Sequence, residues 1–201
     1  MADTLITGTT LVEKESRSIG DVPIGGIIKW DDTFANIPEN SVLCDGSTIT
    51  DPLSSYNGSA VPDLNTNYLS LSTGNFTAMS PDVDDISFAG GDGRVDMTGA
   101  SVALIAGVNL PHGATVTSCI FYASVSTEDW ELERTAVAGA SGRDIMATAA
   151  LNTADTSIIE PIINNLTHRY WISSDFMDAT DDMYGAVITY TPRLKFIIRI
   201  K

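Results

Sequence analysis

The stretch Asn109-Leu110-Pro111-His112-Gly113-Ala114-Thr115-Val116-Thr117-Ser118-Cys119-Ile120-Phe121-Tyr122 decides the fold class. Its first half is a turn set by Pro111 and Gly113, and its second half alternates as a strand with one buried face does. The same signature recurs on both sides. Runs of β-branched and aromatic residues at 26–30, 114–124, 130–134, 169–173, 186–191 and 194–200 are bounded by Gly, Asn, Asp and Pro, which predicts an all-β chain. One segment, 141–151, places Ile145, Met146 and Leu151 at roughly helical spacing and predicts a single short helix.

The chain has 201 residues, enough for one elaborated domain or two small ones. Lys plus Arg total 11 against 26 Asp plus Glu, a formal net charge of -15. Such a field repels phosphate and anionic lipid, so neither nucleic acid nor a membrane surface is an expected partner. No apolar run of membrane-spanning length occurs, and the opening Met-Ala-Asp-Thr-Leu-Ile-Thr-Gly has no signal-peptide pattern, which predicts cytoplasmic synthesis without a leader. Cys44 and Cys119 read as small buried hydrophobes rather than a disulfide.

Composition divides the chain further. Residues 1–20 are polar and Thr-rich, an N-terminal arm able to add a strand to a neighbouring sheet edge or to stand as a disordered leader. Residues 73–98 crowd turn formers and carboxylates, as in Ser80-Pro81-Asp82-Val83-Asp84-Asp85 and Gly90-Gly91-Asp92-Gly93, and read as an acidic linker. Residues 99–190 then carry closely spaced strands suited to a small β-sandwich or jelly roll.

Two separated stretches carry a family resemblance. Pro23-Ile24-Gly25-Gly26-Ile27-Ile28-Lys29-Trp30, Ile37-Pro38-Glu39-Asn40-Ser41-Val42-Leu43-Cys44-Asp45-Gly46-Ser47 and Val61-Pro62-Asp63-Leu64-Asn65-Thr66-Asn67-Tyr68-Leu69 follow one another in order. Together with Thr191-Pro192-Arg193-Leu194-Lys195-Phe196-Ile197-Ile198-Arg199-Ile200-Lys201, they resemble the tail-collar domain of bacteriophage tail fibres. Asn40-Ser41 stands where that pattern has glycine-tryptophan, and Asn67-Tyr68 where it has arginine-phenylalanine. The resemblance covers segments 22–70 and 191–201, about a third of the chain, and implies a collar-like module at 21–72 completed by 191–201 around the inserted domain.

What the resemblance implies is a structural, non-enzymatic protein on the surface of a virion or extracellular particle. It would assemble with itself, as a trimer, contact other virion proteins, and display a domain to a host receptor or glycan. The alternative is a filament subunit whose N-terminal arm completes its neighbour's sheet. The motif residues Pro23, Gly25, Trp30, Pro38, Cys44, Asp45, Gly46, Pro62, Asp63 and Leu64 are expected to fix backbone rather than do chemistry. Phe196, Ile197, Ile198 and Ile200 are the expected core or subunit interface.

Catalytic equipment is thin. His112 and His168 lie in no motif, and the histidine-x-histidine pair by which some collar-domain fibres bind metal is missing. No cofactor is expected. Asp82, Asp84, Asp85 and Asp92, and Asp178, Asp181 and Asp182, supply oxygen ligands of the kind calcium takes, but without an EF-hand pattern, and Gly/Asp-rich surface loops account for them equally. A glycan-cleaving enzyme would need paired carboxylates converging in a groove, and no pair is singled out. Trp30, Trp130 and Trp171 with Tyr68, Tyr122, Tyr170, Tyr184 and Tyr190 could stack on carbohydrate, although their place inside strand runs favours packing.

Overall fold

The computed structural model describes residues 2–7, 10–15, 24–31, 40–80, 86–88, 91–99, 101–138 and 142–200, with side chains beyond the first hairpin except at positions 30, 31, 194 and 195. Strand follows strand, with no α-helix among the described residues. The chain separates into two compact units, one formed by Met1–Asn67 with Thr191–Lys201, the other by Tyr68–Tyr190.

In the first unit, β1 (Ala2–Thr7) and β2 (Thr10–Glu15) form a hairpin, followed by β3 (Ile27–Asp31) and β4 (Ser41–Leu43). These are joined by a strand from the far end of the chain, Leu194–Arg199, numbered β15 in chain order. The sheet runs β2-β1-β3-β15-β4 with every pair antiparallel. The arm at 1–20 is therefore largely a hairpin whose β1 pairs with β3 of its own chain, through Leu5 with Ile28 and Ile6 with Ile27.

The late strand β15 lies between β3 and β4, with Ile197 opposite Ile28 on one side and Leu43 on the other. Ile197 and Ile200 are buried, Phe196 and Ile198 half-buried, and Ile200 packs with Ile49 and Val61. Main-chain pairing is extended by one side chain. Asn65 is buried, donates from Nδ2 to the carbonyls of Cys44 (3.0 Å) and Phe196 (3.0 Å), and accepts the Phe196 N–H on Oδ1 (2.6 Å). An amide side chain offers a donor and an acceptor in one plane, so Asn65 pairs with Phe196 much as a peptide unit of a further strand would. Ser54 adds a bond from Oγ to the Ile200 carbonyl (2.8 Å).

The motif residues surround this clasp. Cys44 N–H donates to the Phe196 carbonyl (2.9 Å), and Leu64 N–H to the Cys44 carbonyl (2.8 Å). Asp45 accepts the Ser47 N–H (3.0 Å) ahead of Gly46 at φ 80°. Asp63 accepts from Asn65 (3.2 Å) and Thr66 (3.0 Å), and the Thr66 bonds hold its carboxyl below the usual range. Pro62 and Leu64 are exposed. Gly25, at φ 81°, donates to the Arg199 carbonyl (2.8 Å), and a Cβ there would fall 2.6 Å from the Tyr56 hydroxyl. Asn40 takes φ 65°, a left-handed conformation that asparagine tolerates, where the collar pattern has glycine. Pro23 and Pro38 lie outside the described residues, and Trp30 is described by its backbone alone, opposite Lys195.

The second unit contains β5 (Asn67–Leu71), β6 (Thr77–Ala78), β7 (Ile86–Phe88), β8 (Val95–Met97), β9 (Leu104–Val108) and β10 (Thr115–Ala123). It continues with β11 (Asp129–Ala136), β12 (Asp144–Ala150), β13 (His168–Ser174) and β14 (Asp182–Thr191). One sheet runs β10-β14-β8-β7 with β5 also on β14, and the other runs β12-β11-β13-β9-β6. They sandwich a common core in which Val95, Phe121, Met183 and Ile188 of the first meet Leu104, Trp130, Leu132, Met146 and Ile172 of the second. Phe76 and Phe121 cross edge to face at 5.1 Å.

Two expectations are corrected here. The segment 73–98 is no free linker, since it carries a 3-10 turn at Thr73–Asn75, buried Phe76 and strands β6 to β8. Within 141–151, Asp144–Ala150 form strand β12 rather than a helix, because Met146 and Ala147 meet the core from a strand paired along β11. At Gly185 (φ 131°) a Cβ would stand 2.5 Å from the Leu71 carbonyl oxygen, so β5 approaches β14 closely only over a glycine.

Removing the Asn65 amide deletes three hydrogen bonds, each contributing about 0.5–1.5 kcal/mol net. Asn65→Ala is expected to destabilise the first unit by roughly 2–4 kcal/mol in urea unfolding, with faster amide exchange along β15. Unchanged exchange at β15 would show that the clasp does not hold that strand.

Candidate functional site

The alternation that buries one face of β11 and β13 aims the other outward. Trp130 and Leu132 enter the core from β11, so Glu131 and Glu133 share the opposite face. On β13, Tyr170 and Ile172 point inward, leaving Arg169, Trp171 and Ser173 outside. Register aligns them, with Glu133 opposite Trp171, Glu131 opposite Ser173, and Gly107 of β9 on the other side of Trp171.

A bulge completes the group. Glu131 pairs with Thr148 and Leu132 with Ala147, but Glu133 pairs with Ile145, so Met146 is an extra residue on β12. Met146 therefore turns into the core, and the two positions before Ile145 bring Arg143 to the carboxylates. Arg143 Nη1 lies 3.0 Å from Glu131 Oε2 and 3.1 Å from Glu133 Oε2.

Glu133 is fully buried although it belongs to an outward face. Its Oε1 accepts the indole N–H of Trp171 (3.0 Å) and the hydroxyl of Ser173 (2.7 Å). Its Oε2 takes no hydrogen bond and has the Arg143 charge as its partner. A carboxylate out of water is costly unless paired in this way. The result is an indole fixed at its edge, half-buried, beside an arginine that remains 56% exposed. Glu131 has its carboxyl pushed up, chiefly by burial, with Arg143 opposing and Glu133 adding to the shift.

Gly107 marks the open side of the indole. Among the described residues a Cβ there would meet nothing within 4 Å, so none of them requires glycine at this position. A glycine inside a strand weakens it and often marks a place where another molecule approaches. Next to the same face, Asn109, Leu110, Val137, Asn165, His168 and Arg169 border an open cleft of about 550 Å³.

The other candidates fall elsewhere. Trp130 is a core residue whose indole N–H donates to the Thr153 carbonyl (3.0 Å), and Tyr170 is buried with its hydroxyl accepting the Asn164 N–H (2.7 Å). Tyr190 is partly buried against the core, while Tyr68, Tyr122 and Tyr184 are exposed on strands of the other sheet. His112 accepts the Asn165 N–H at Nδ1 (3.2 Å), and His168 Nδ1 contacts the Thr167 hydroxyl (2.8 Å). Cys44 and Cys119 are buried free thiols, the first pushed up to about 11 by burial and then by Asp45.

The acidic clusters do not assemble a cation site among the described residues, where no group of three or more His, Cys, Asp or Glu could hold a metal ion. Asp82, Asp84 and Asp85 lie outside those residues. Asp181 is buried and accepts the Asp178 N–H (2.7 Å). Asp182 stands across from Asp96, and Arg94 bridges them, 2.8 Å from Asp96 and 3.7 Å from Asp182, with Asp92 at 3.9 Å.

No protein-family model matches this chain, and no curated protein matches it. Among solved structures it is similar to the C-terminal CBM6 of LamC, a marine laminarinase from Zobellia galactanivorans, at 11% identity and TM-score 0.37, covering 61% of this chain and 99% of that one. It is also similar to a CBM22 xylan-binding domain, at 15% identity and TM-score 0.37, covering 65% and 97%. A third is CBM86, a low-affinity xylan-binding module from Roseburia intestinalis, at 10% identity and TM-score 0.34, covering 62% and 93%.

Glu133→Ala is expected to leave the Trp171 and Ser173 donors without their acceptor, costing roughly 2–4 kcal/mol in chemical denaturation and shifting tryptophan emission to the red. An unshifted spectrum would contradict the fixing of the indole. Burial, and then the facing Asp96, raise the Asp182 pKa, so the folded state holds that proton more tightly than the unfolded chain does. Ionised Asp182 therefore opposes folding above the ordinary carboxylate range and not below it. Arg94→Gln should accordingly lower the melting temperature at pH 7, with the difference from wild type closing as pH falls toward 4. A pH-independent difference would rule out the electrostatic cause.

Proposed function

We propose that this chain is a non-enzymatic structural protein of a tailed-virus particle, of tail-fibre or collar type. Its first unit assembles with copies of itself and its second unit is a host-attachment module displayed on the particle surface. The single observation that carries the attachment role is the outward Trp171, held at its edge by a buried carboxylate and flanked by a strand glycine that no contact among the described residues requires. An aromatic face beside charged hydrogen-bonding groups suits a saccharide, whose C–H surface stacks on the ring while its hydroxyls meet the polar rim. Support for the assembly role comes from the tail-collar resemblance of 22–70 and 191–201, and from the sheet those segments build together.

Binding without cleavage is the corresponding mechanism. Glu131 and Glu133 are tied to one arginine, and Glu133 also to Trp171 and Ser173, so neither is free to act as an acid or base on a glycosidic bond. Their roles are to place the indole and to neutralise the guanidinium, leaving its remaining N–H groups for ligand oxygens.

Light scattering with negative-stain imaging of the purified chain is expected to give a discrete closed oligomer, and affinity electrophoresis in polysaccharide gels retardation without release of reducing ends. Trp171→Ala should abolish retardation and leave the oligomer intact. A monomer would sink the assembly role, open filaments would favour strand donation, and retardation indifferent to Trp171 would remove the attachment site.

A further inference from the structure

The second unit holds sixteen Asp and Glu against four arginines and no lysine. In such an excess of acid an arginine finds a carboxylate readily, and three of the four have done so. Arg94 contacts Asp92, Asp96 and Asp182, Arg134 contacts Asp144 and Glu160, and Arg143 contacts Glu131 and Glu133. Arg169 is the exception. It is exposed, and among the described residues its side chain has neither a hydrogen bond nor an ion pair.

Its position is what gives this meaning. Arg169 lies two residues before Trp171 on β13, on the same outward face, which sets their Cα atoms about 7 Å apart. Its cross-strand neighbour on β11 is Thr135, which carries no charge and donates its hydroxyl to the Gly142 carbonyl (2.7 Å). The two carboxylates of the face are both held by Arg143. Arg169 also borders the cleft of about 550 Å³, within the range of small-ligand sites. Asn165 on that cleft is turned back to the fold, its amide donating to the Leu110 carbonyl (2.8 Å).

We propose that Arg169 recognises a carboxylate on the ligand, so that the saccharide taken by this face is an acidic one, its ring against Trp171 and its carboxyl group bidentate on the Arg169 guanidinium. The proposal rests on the attachment role argued above and names its ligand class. A guanidinium fork matches a carboxylate in geometry as well as charge. The acidity of the whole chain does not override this, since charges beyond about 8 Å are largely screened at physiological ionic strength and the pairing is made at contact.

The test uses a glycan array carrying neutral glycans, carboxylated glycans and methyl esters of the latter, probed with the full chain. Wild type is expected to bind carboxylated glycans and not their esters. Arg169→Gln should weaken that binding roughly 10- to 100-fold, Arg169→Lys should restore part of it, and neither should alter thermal stability, because the Arg169 side chain is exposed and has no partner among the described residues. Binding of neutral glycans or esters that depends on Trp171 but not on Arg169 would overturn the acidic-ligand inference and leave the attachment role standing. Absence of binding to every glycan by the folded protein would overturn both.

Discussion

The pairing of Phe196 with the Asn65 side chain and the Cys44 main chain is the contact on which the first unit depends. A strand placed at the edge of a sheet can fray with little consequence, but β15 lies between β3 and β4, and those two strands meet through nothing else in the ladder. Without β15 the sheet divides, and β4 with the turns that follow it loses its partner. The turn residues at 44–46 and 62–65 therefore hold a place for an incoming strand. Asp45, Gly46 and Asp63 shape the two turns, and Asn65 presents a peptide-like edge to which Phe196 fastens.

The second unit follows a different economy of contacts. Its two sheets need only their inner faces to fold, which leaves outward positions free for other work. Most outward positions of β9, β11 and β13 are polar or small, yet on one of them a carboxylate is buried and coupled to a tryptophan. That arrangement opposes the simple rule that outer faces are solvated. A local departure from such a rule, with its compensation supplied by Arg143 and Ser173, is where specialised surface chemistry is expected.

How much of this was legible in the sequence follows from the range of each interaction. Alternation along Thr115 to Tyr122 and the six strand runs gave the all-β class, because side-chain period is a local property. The alternation Trp130-Glu131-Leu132-Glu133 also placed the two carboxylates on one face, a signal present but unweighted in the reading of aromatic residues alone. Arg143 was hidden behind the bulge at Met146: helical spacing and a bulged strand produce similar local patterns, and only pairing with β11 separates them. Asn65 and Arg169 were equally opaque, since one acquires its role from a strand 131 positions away and the other from what fails to surround it.

The central position of β15 also sets an order of events during synthesis. The ribosome delivers β3 and β4 early, then makes the whole stretch Tyr68–Tyr190 before the strand that joins them emerges. At about 5–20 residues per second that interval is on the order of ten seconds, long compared with hairpin formation. Throughout it the nascent chain carries two unpaired strand edges cut to fit the same absent partner. On a crowded polysome, where neighbouring nascent chains carry identical open edges, the pairing that β15 completes is open to the same strand of another chain as well as to the chain's own.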